Sequence, residues 1–410
     1  MASSISPSSI SASRISASWI TSRRLRAHGL ILALCLWSVY LWNISTPGLV
    51  DRAGNLKGTD FLHFYTLGSI ALTHHGVDLY NMRVQAEIAA QRVPAAAGIR
   101  YLPLYPPQVS ILFAPFARLS YPLALTLWLV LSTLIYGLCC YSVGRACPNL
   151  RNHGFTVLIL AVAFPAFWHL IAWGQTSALA LALFVLAFFA LREQHDFLAG
   201  LAFGCLIFKP QLGLAIAIVF LITLRWKIIT GALLSAAAEL IVACLYYGPA
   251  PLRDWSHILL NTPSVLPLLE PKPYQTHCLR TFWTMLIPWP QASFALYLVT
   301  ALVVEGFTVA CWRSRVPLSL QYSALLLSTV LLAPHLTVYD LVILAPAFLL
   351  LSDWLITQIG ATNARLKILL YLAFALPLLG PFARWTHFQL SVPVMAALLY
   401  GIWTTRRESL

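Results

Sequence analysis

The chain has 410 residues, of which 60% are apolar and 10% charged, with a formal net charge of +13 and a mean hydropathy of +0.78. A soluble domain carries roughly 25% charged residues because its surface faces water, so this composition excludes a soluble globule and makes lipid the main solvent. The basic residues fall in short gaps between apolar blocks, not along one face or in one tail, which argues against nucleic acid as a partner.

Residues 1–28 are rich in Ser, with Arg14, Arg23, Arg24 and Arg26, and read as a disordered, basic, cytoplasmic N-terminus. The first apolar block, about 29–46, has a basic stretch before it, as a signal peptide does. No small-x-small cleavage site follows, and the block contains Trp37, Tyr40 and Trp42, so it is expected to be an uncleaved first span.

A long external stretch, 47–120, comes next, and its loop covers 47–104. Within it, GTDFLHFYTLGSIALTHHGVDLYN at 58–81 predicts a helix capped by Thr59 or Asp60, running to about His75 and ended by Gly76. Phe61, Phe64, Tyr65, Gly68 and Leu72 share one face, the pattern of a helix lying on the membrane surface. Asp60 suits general-base chemistry on a hydroxyl, and it suits helix capping equally well. His63, one turn on, either orients Asp60 or a substrate, or packs at the interface; His74 and His75 sit at a solvated helix end. The following YLPLYPPQVSILFAPF, 101–116, enters extended at its double proline and is too short to span, which fits either a re-entrant piece or a structural bend.

Further spans are predicted at 121–144, 155–172, 176–192, 228–247, 291–311, 317–334, 338–356, 366–380 and 388–404. A pair, 197–208 and 211–224, meets at Lys209-Pro210-Gln211. The fold class is therefore an all-α polytopic membrane protein of about a dozen spans, with one transmembrane domain over 29–405 and a cytoplasmic tail at 406–410. With the N-terminus inside, every short cytoplasmic loop carries Arg or Lys, as the positive-inside rule requires. The same threading places the unusual polar residues outside, on 47–120, 248–290 and the shorter external turns.

Several of those residues are candidates for chemistry. Lys209 interrupts an apolar stretch, where a charge at the bilayer centre costs roughly 2.5–3.5 kcal/mol; Pro210 brings it to the end of two half-spans, to meet a phosphate or to snorkel among headgroups. Gln175 follows Trp173-Gly174 at a span end, where an amide suits a sugar hydroxyl. Arg280, in YQTHCLRTFW, suits an anion, and His335 and Asp340 flank the external turn of APHLTVYD, where Asp340 also suits a helix cap. Glu239 and Glu305 lie inside spans and take a functional default. The eight cysteines show no metal-ligand spacing and read as small buried hydrophobes. There is no P-loop, dinucleotide fingerprint, HExxH or GxSxG.

The order DFLHFYTLG, HHGVDLYN, LYPPQVSILFAPFARLSYPLALTLW, GQTSALALALFVLAF, LAGLAFGCLIFKPQLGL and APHLTVYDLVIL resembles glycosyltransferase family 87 of the GT-C superfamily over roughly 30–350. Two segments depart from the usual pattern: GQTS stands where GQ, an apolar residue and Asn is commoner, and YQTHCLR matches loosely. The resemblance implies an inverting, metal-independent membrane glycosyltransferase that uses a polyprenyl-phosphate sugar, mannose first, as donor substrate and needs no other cofactor. It implies Asp60 as catalytic base and Lys209, Arg280 and His335 at the donor phosphate. It places His63, Tyr65, Tyr105, Gln175, Gln211 and Asp340 at the sugar or acceptor. Partners are then the bilayer, the lipid-linked sugar and a glycolipid or glycan acceptor, with the site on the external or periplasmic face of the cell membrane. A transporter or lipid flippase is the rival reading, since broken helices and intramembrane carboxylates serve transporters too; a non-enzymatic scaffold ranks third, because it leaves Lys209 and the external cluster unexplained.

Overall fold

A chain this apolar must satisfy its backbone polar groups internally, and in lipid the helix does so within one segment. In the computed structural model, which describes residues 20–270, 272–358 and 361–408, the regular elements are accordingly helical. One isolated antiparallel bridge joins Val50 to Leu56 in the loop after the first helix.

Among the described residues six helices are long and apolar enough to cross a bilayer: Ser22–Ile44, Tyr121–Ala146, Trp226–Tyr247, Pro290–Trp312, Val338–Ile356 and Asn363–Thr386. A seventh span forms if Pro148–Ala163 and Pro165–Trp173, bent by 46° at the break before Pro165, act as one. The chain is thus a polytopic, all-α membrane protein. The remaining segments expected to span, Ser177–Arg192, Asp196–Phe208, Pro210–Ile222, Leu318–Leu332 and Ser391–Thr405, are apolar helices of 10–17 residues. At 1.5 Å per residue these fall short of a core about 30 Å thick.

Two local expectations change. The first helix begins at Ser22, so the arginines at 23, 24 and 26 ride on a helix; of the stretch expected to be disordered, residues 1–19 lie outside the described residues. The helix at 59–73 is not a surface helix with one apolar face, because every residue from Phe61 to Ala71 is buried.

The chain divides into two compact units. One comprises Ser38–Leu138 with His169–Thr276; the other comprises the described residues up to Trp37, Cys139–Trp168 and those from His277 onward.

In the Ser38–Leu138/His169–Thr276 unit, Thr59–Thr73 packs on the short helix Gln108–Ala117. Gly68 makes that approach possible: a Cβ there would sit 2.4 Å from the Phe113 carbonyl oxygen. Phe61 anchors the contact among Phe113, Phe116, Tyr121 and Trp128, stacked on the last at 6.2 Å. A second contact joins Asp196–Gly204 to Trp226–Tyr247. Added Cβ atoms at Gly200, Gly204 and Gly231 would lie 2.2, 2.1 and 2.4 Å from the carbonyl oxygens of Ile228, Ala232 and Phe197. Lipid is as apolar as leucine, so association of helices within it rests on such close backbone packing.

In the other unit, Leu318–Leu332 is buried on all sides from Tyr322 to Leu332. Glu305, on Pro290–Trp312, accepts a hydrogen bond there from Ser328. Asp353 closes the Pro148–His153 turn, its Oδ1 accepting from the Asn149 and Leu150 amides at 2.7 and 3.2 Å.

Candidate active site

Asp60 stands in the first turn of the Thr59–Thr73 helix. Its spacing allowed a cap, but the N-cap position is taken by Gly58, in the left-handed region at φ 66° and with no side chain to cap with. Only glycine reaches that φ without strain, and a Cβ at Gly58 would also run into the Leu125 side chain. The carboxylate is turned instead to Gln175, whose Nε2 donates to Asp60 Oδ2 at 2.8 Å across 115 residues of sequence.

Around that pair the unit assembles an aromatic pocket. His63, one turn on from Asp60, is 5% exposed, with its ring centre 4.8 Å from Tyr101 and 5.6 Å from Tyr105. Burial lowers its pKa from 6.5 to about 3, so the imidazole stays neutral at physiological pH; its Nε2 makes no hydrogen bond among the described residues. Tyr101 donates to the Thr59 carbonyl, and burial with the nearby Asp60 charge raises its pKa. Tyr105 donates to Gln175 Oε1 at 3.5 Å, and its own carbonyl accepts from Tyr80 at 3.1 Å.

Lys209 lies at the break between Asp196–Phe208 and Pro210–Ile222, 3% exposed. Its ammonium donates to Ser177 Oγ at 3.0 Å, two residues beyond Gln175. A lysine this deep needs polar partners to offset desolvation. Ser177 is a contact that sequence reasoning missed, although it stands in the same GQTS turn; Tyr101 was missed as well, and nothing in its spacing marks it. Gln211 is half-buried on the turn after Pro210.

Tyr65 does not join the pocket. Its hydroxyl donates to the Leu119 carbonyl at 2.8 Å and accepts from Arg92 at 2.8 Å, and the guanidinium also covers its ring. The residue is thereby committed to holding Thr59–Thr73 against the following segment. Glu239, left without a partner by the sequence, accepts from Gln108 Nε2 at 3.2 Å. His74 closes the helix in place of Gly76, in the left-handed region.

The other unit holds the remaining candidates. Arg280 donates through Nε to the Pro334 carbonyl, and the His277 amide donates to the Leu336 carbonyl at 2.9 Å. These two bonds bracket His335 and bring it together with Arg280. His277 is fixed in turn by a 2.7 Å bond between its Nδ1 and Ser391 Oγ. Asp340 is 3% exposed and accepts from the Thr337 hydroxyl at 3.4 Å. Among the described residues no three His, Cys, Asp or Glu side chains approach closely enough to hold a metal ion.

The model of glycosyltransferase family 87 matches residues 104–338. That stretch takes in Tyr105, Gln175, Lys209, Gln211, Arg280 and His335, and it begins after the helix that carries Asp60. No curated protein and no solved structure matches the chain.

Proposed function

The chain belongs to glycosyltransferase family 87, and on that premise we propose that it moves a hexose, mannose first, from a polyprenyl-phosphate carrier to an acceptor hydroxyl on the external face of the cell membrane, with inversion. The observation that carries this reading is the Asp60–Gln175 bond. It turns Asp60 toward Gln175 and presents a half-buried carboxylate beside a neutral His63 and two tyrosines.

In the proposed step, an Asp60 oxygen takes the proton of the acceptor hydroxyl as the acceptor's oxygen attacks the anomeric carbon. The bond from the anomeric carbon to the phosphate oxygen breaks on the opposite face, and polyprenyl phosphate departs with the electron pair. The growing charge calls for a cation, and Lys209 is proposed to meet it. Arg280 and His335, held together on their own unit, are proposed as an anion site of that unit. His63, Tyr105 and Gln211 are proposed to line the sugar. The broken stretch at Lys209 and the shorter apolar helices are proposed to complete a GT-C-like bundle of about twelve passes with both termini cytoplasmic.

The test uses purified protein in liposomes with polyprenyl-phosphate [14C]mannose and a membrane-lipid extract, comparing wild type with Asp60→Asn. Wild type transfers label and releases polyprenyl phosphate, while the folded variant does neither. Transfer by a folded Asp60→Asn protein removes Asp60 as the base. Movement of intact donor across the bilayer with no release of polyprenyl phosphate means that the protein is a transporter.

A further inference from the structure

Gln175 follows a glycine that cannot be replaced without strain. Gly174 has φ +70°, and a Cβ there would lie 2.8 Å from the Cβ of Phe61, the residue next to Asp60. The turn is thus pressed directly onto the start of the helix that carries the base. Trp128 secures it from the other side, donating through Nε1 to the Gly174 carbonyl at 3.0 Å.

The amide of Gln175 then has one workable orientation. Its Oε1 accepts from the Thr176 backbone N–H at 3.1 Å and from the Tyr105 hydroxyl at 3.5 Å. With the oxygen on that side, the NH2 faces Asp60 Oδ2. Turning the amide over sets oxygen against carboxylate and N–H against N–H, two repulsions in place of two bonds.

We infer that Gln175 is a positioning residue for Asp60, holding the carboxylate in a single orientation toward the incoming hydroxyl, and not a ligand of the sugar. This rests on Asp60 being the base. A carboxylate's χ2 is a broad, soft torsion that hydrogen bonds to its oxygens narrow, and a base displaced by about 1 Å loses roughly 100-fold in rate. Gln175 acts through Asp60, so its loss lowers turnover while donor and acceptor binding stay intact; loss of a sugar ligand raises KM.

The experiment compares wild type, Gln175→Leu and Asp60→Asn in the same liposomes, with thermal unfolding as the check on folding. Gln175→Leu lowers kcat about 10- to 100-fold, with KM for donor and acceptor within about twofold. A raised KM at unchanged kcat overturns the proposal. An infrared difference spectrum without substrate gives a second readout that does not depend on activity. The carboxylate stretching band that vanishes in Asp60→Asn shifts in Gln175→Leu; an unshifted band also overturns the proposal. Transfer by folded Asp60→Asn, or none by wild type from this donor, refutes the proposed base or donor, and the infrared result still decides whether Gln175 holds Asp60.

Discussion

The Lys209 ammonium and the Ser177 hydroxyl meet at 3.0 Å, joining a helix break to the first turn of Ser177–Arg192. Lys209→Met removes the charge and keeps the length. Transfer is expected to fall about 100-fold or more, the scale on which a single stabilising group acts on a developing anion. Lys209→Arg does not restore it, because a planar fork does not replace a compact ammonium in a packed site. Ser177→Ala keeps the charge but loses a bond to a charged group, lowering stability by about 1.5–3 kcal/mol. Transfer assays and thermal unfolding separate the two effects.

His63 gives stability a pH dependence of known sign. Burial lowers its pKa from 6.5 to about 3 in the folded protein, so below pH 6.5 the unfolded chain binds a proton that the folded chain does not. The stability is fully present above pH 6.5 and declines as pH falls toward about 3, by up to about 1.4 kcal/mol per pH unit. Unfolding midpoints of wild type and His63→Gln, followed from pH 7.5 to 4.5, should diverge, with the wild type steeper. Parallel curves mean that His63 is not held neutral.

Glycines sort by what surrounds them. Gly204→Ala drives a Cβ to 2.1 Å from the Ala232 carbonyl, overpacking that costs about 1–3 kcal/mol. Gly137, inside Tyr121–Ala146, has nothing within 4 Å of the same position; there Ala is expected to gain up to about 1 kcal/mol in helix propensity. Thermal shifts of opposite sign in one detergent check both.

Asp353 accepts two backbone N–H groups of the Pro148–His153 turn. Replacing it with Ala leaves those donors unmet, at a cost of about 0.5–2 kcal/mol, as for a lost cap. Asp353→Asn keeps an acceptor and loses less. Unfolding midpoints report both, and the transfer rate is expected to stay unchanged.

Long apolar blocks were legible because lipid imposes one rule on every residue of a span. The helix Tyr121–Ala146 begins where the sequence put it, and the interruption at Lys209-Pro210 is a real break. The 59–73 helix misled because amphipathic spacing describes an element with one wet face, and this one is enclosed from Phe61 to Ala71. Asp60 could be read as cap or base from spacing alone; Gly58 and Gln175 decide against the cap, and the latter lies 115 residues away. Tyr65 was expected at the sugar or acceptor, but its commitment to Arg92 and Leu119 depends on contacts no local pattern carries.

The interruption at Lys209 also bears on how the chain enters the bilayer. Asp196–Phe208 and Pro210–Ile222 each have at most 17 residues, about 25 Å of helix at most, too short for either to be released into lipid as an independent segment. They are expected to partition together, as one interrupted segment with a cation at its break. The glycines at 200, 204 and 231 then fit the first half against Trp226–Tyr247, a segment that emerges from the ribosome later. Biogenesis at this point therefore waits for synthesis of a downstream helix.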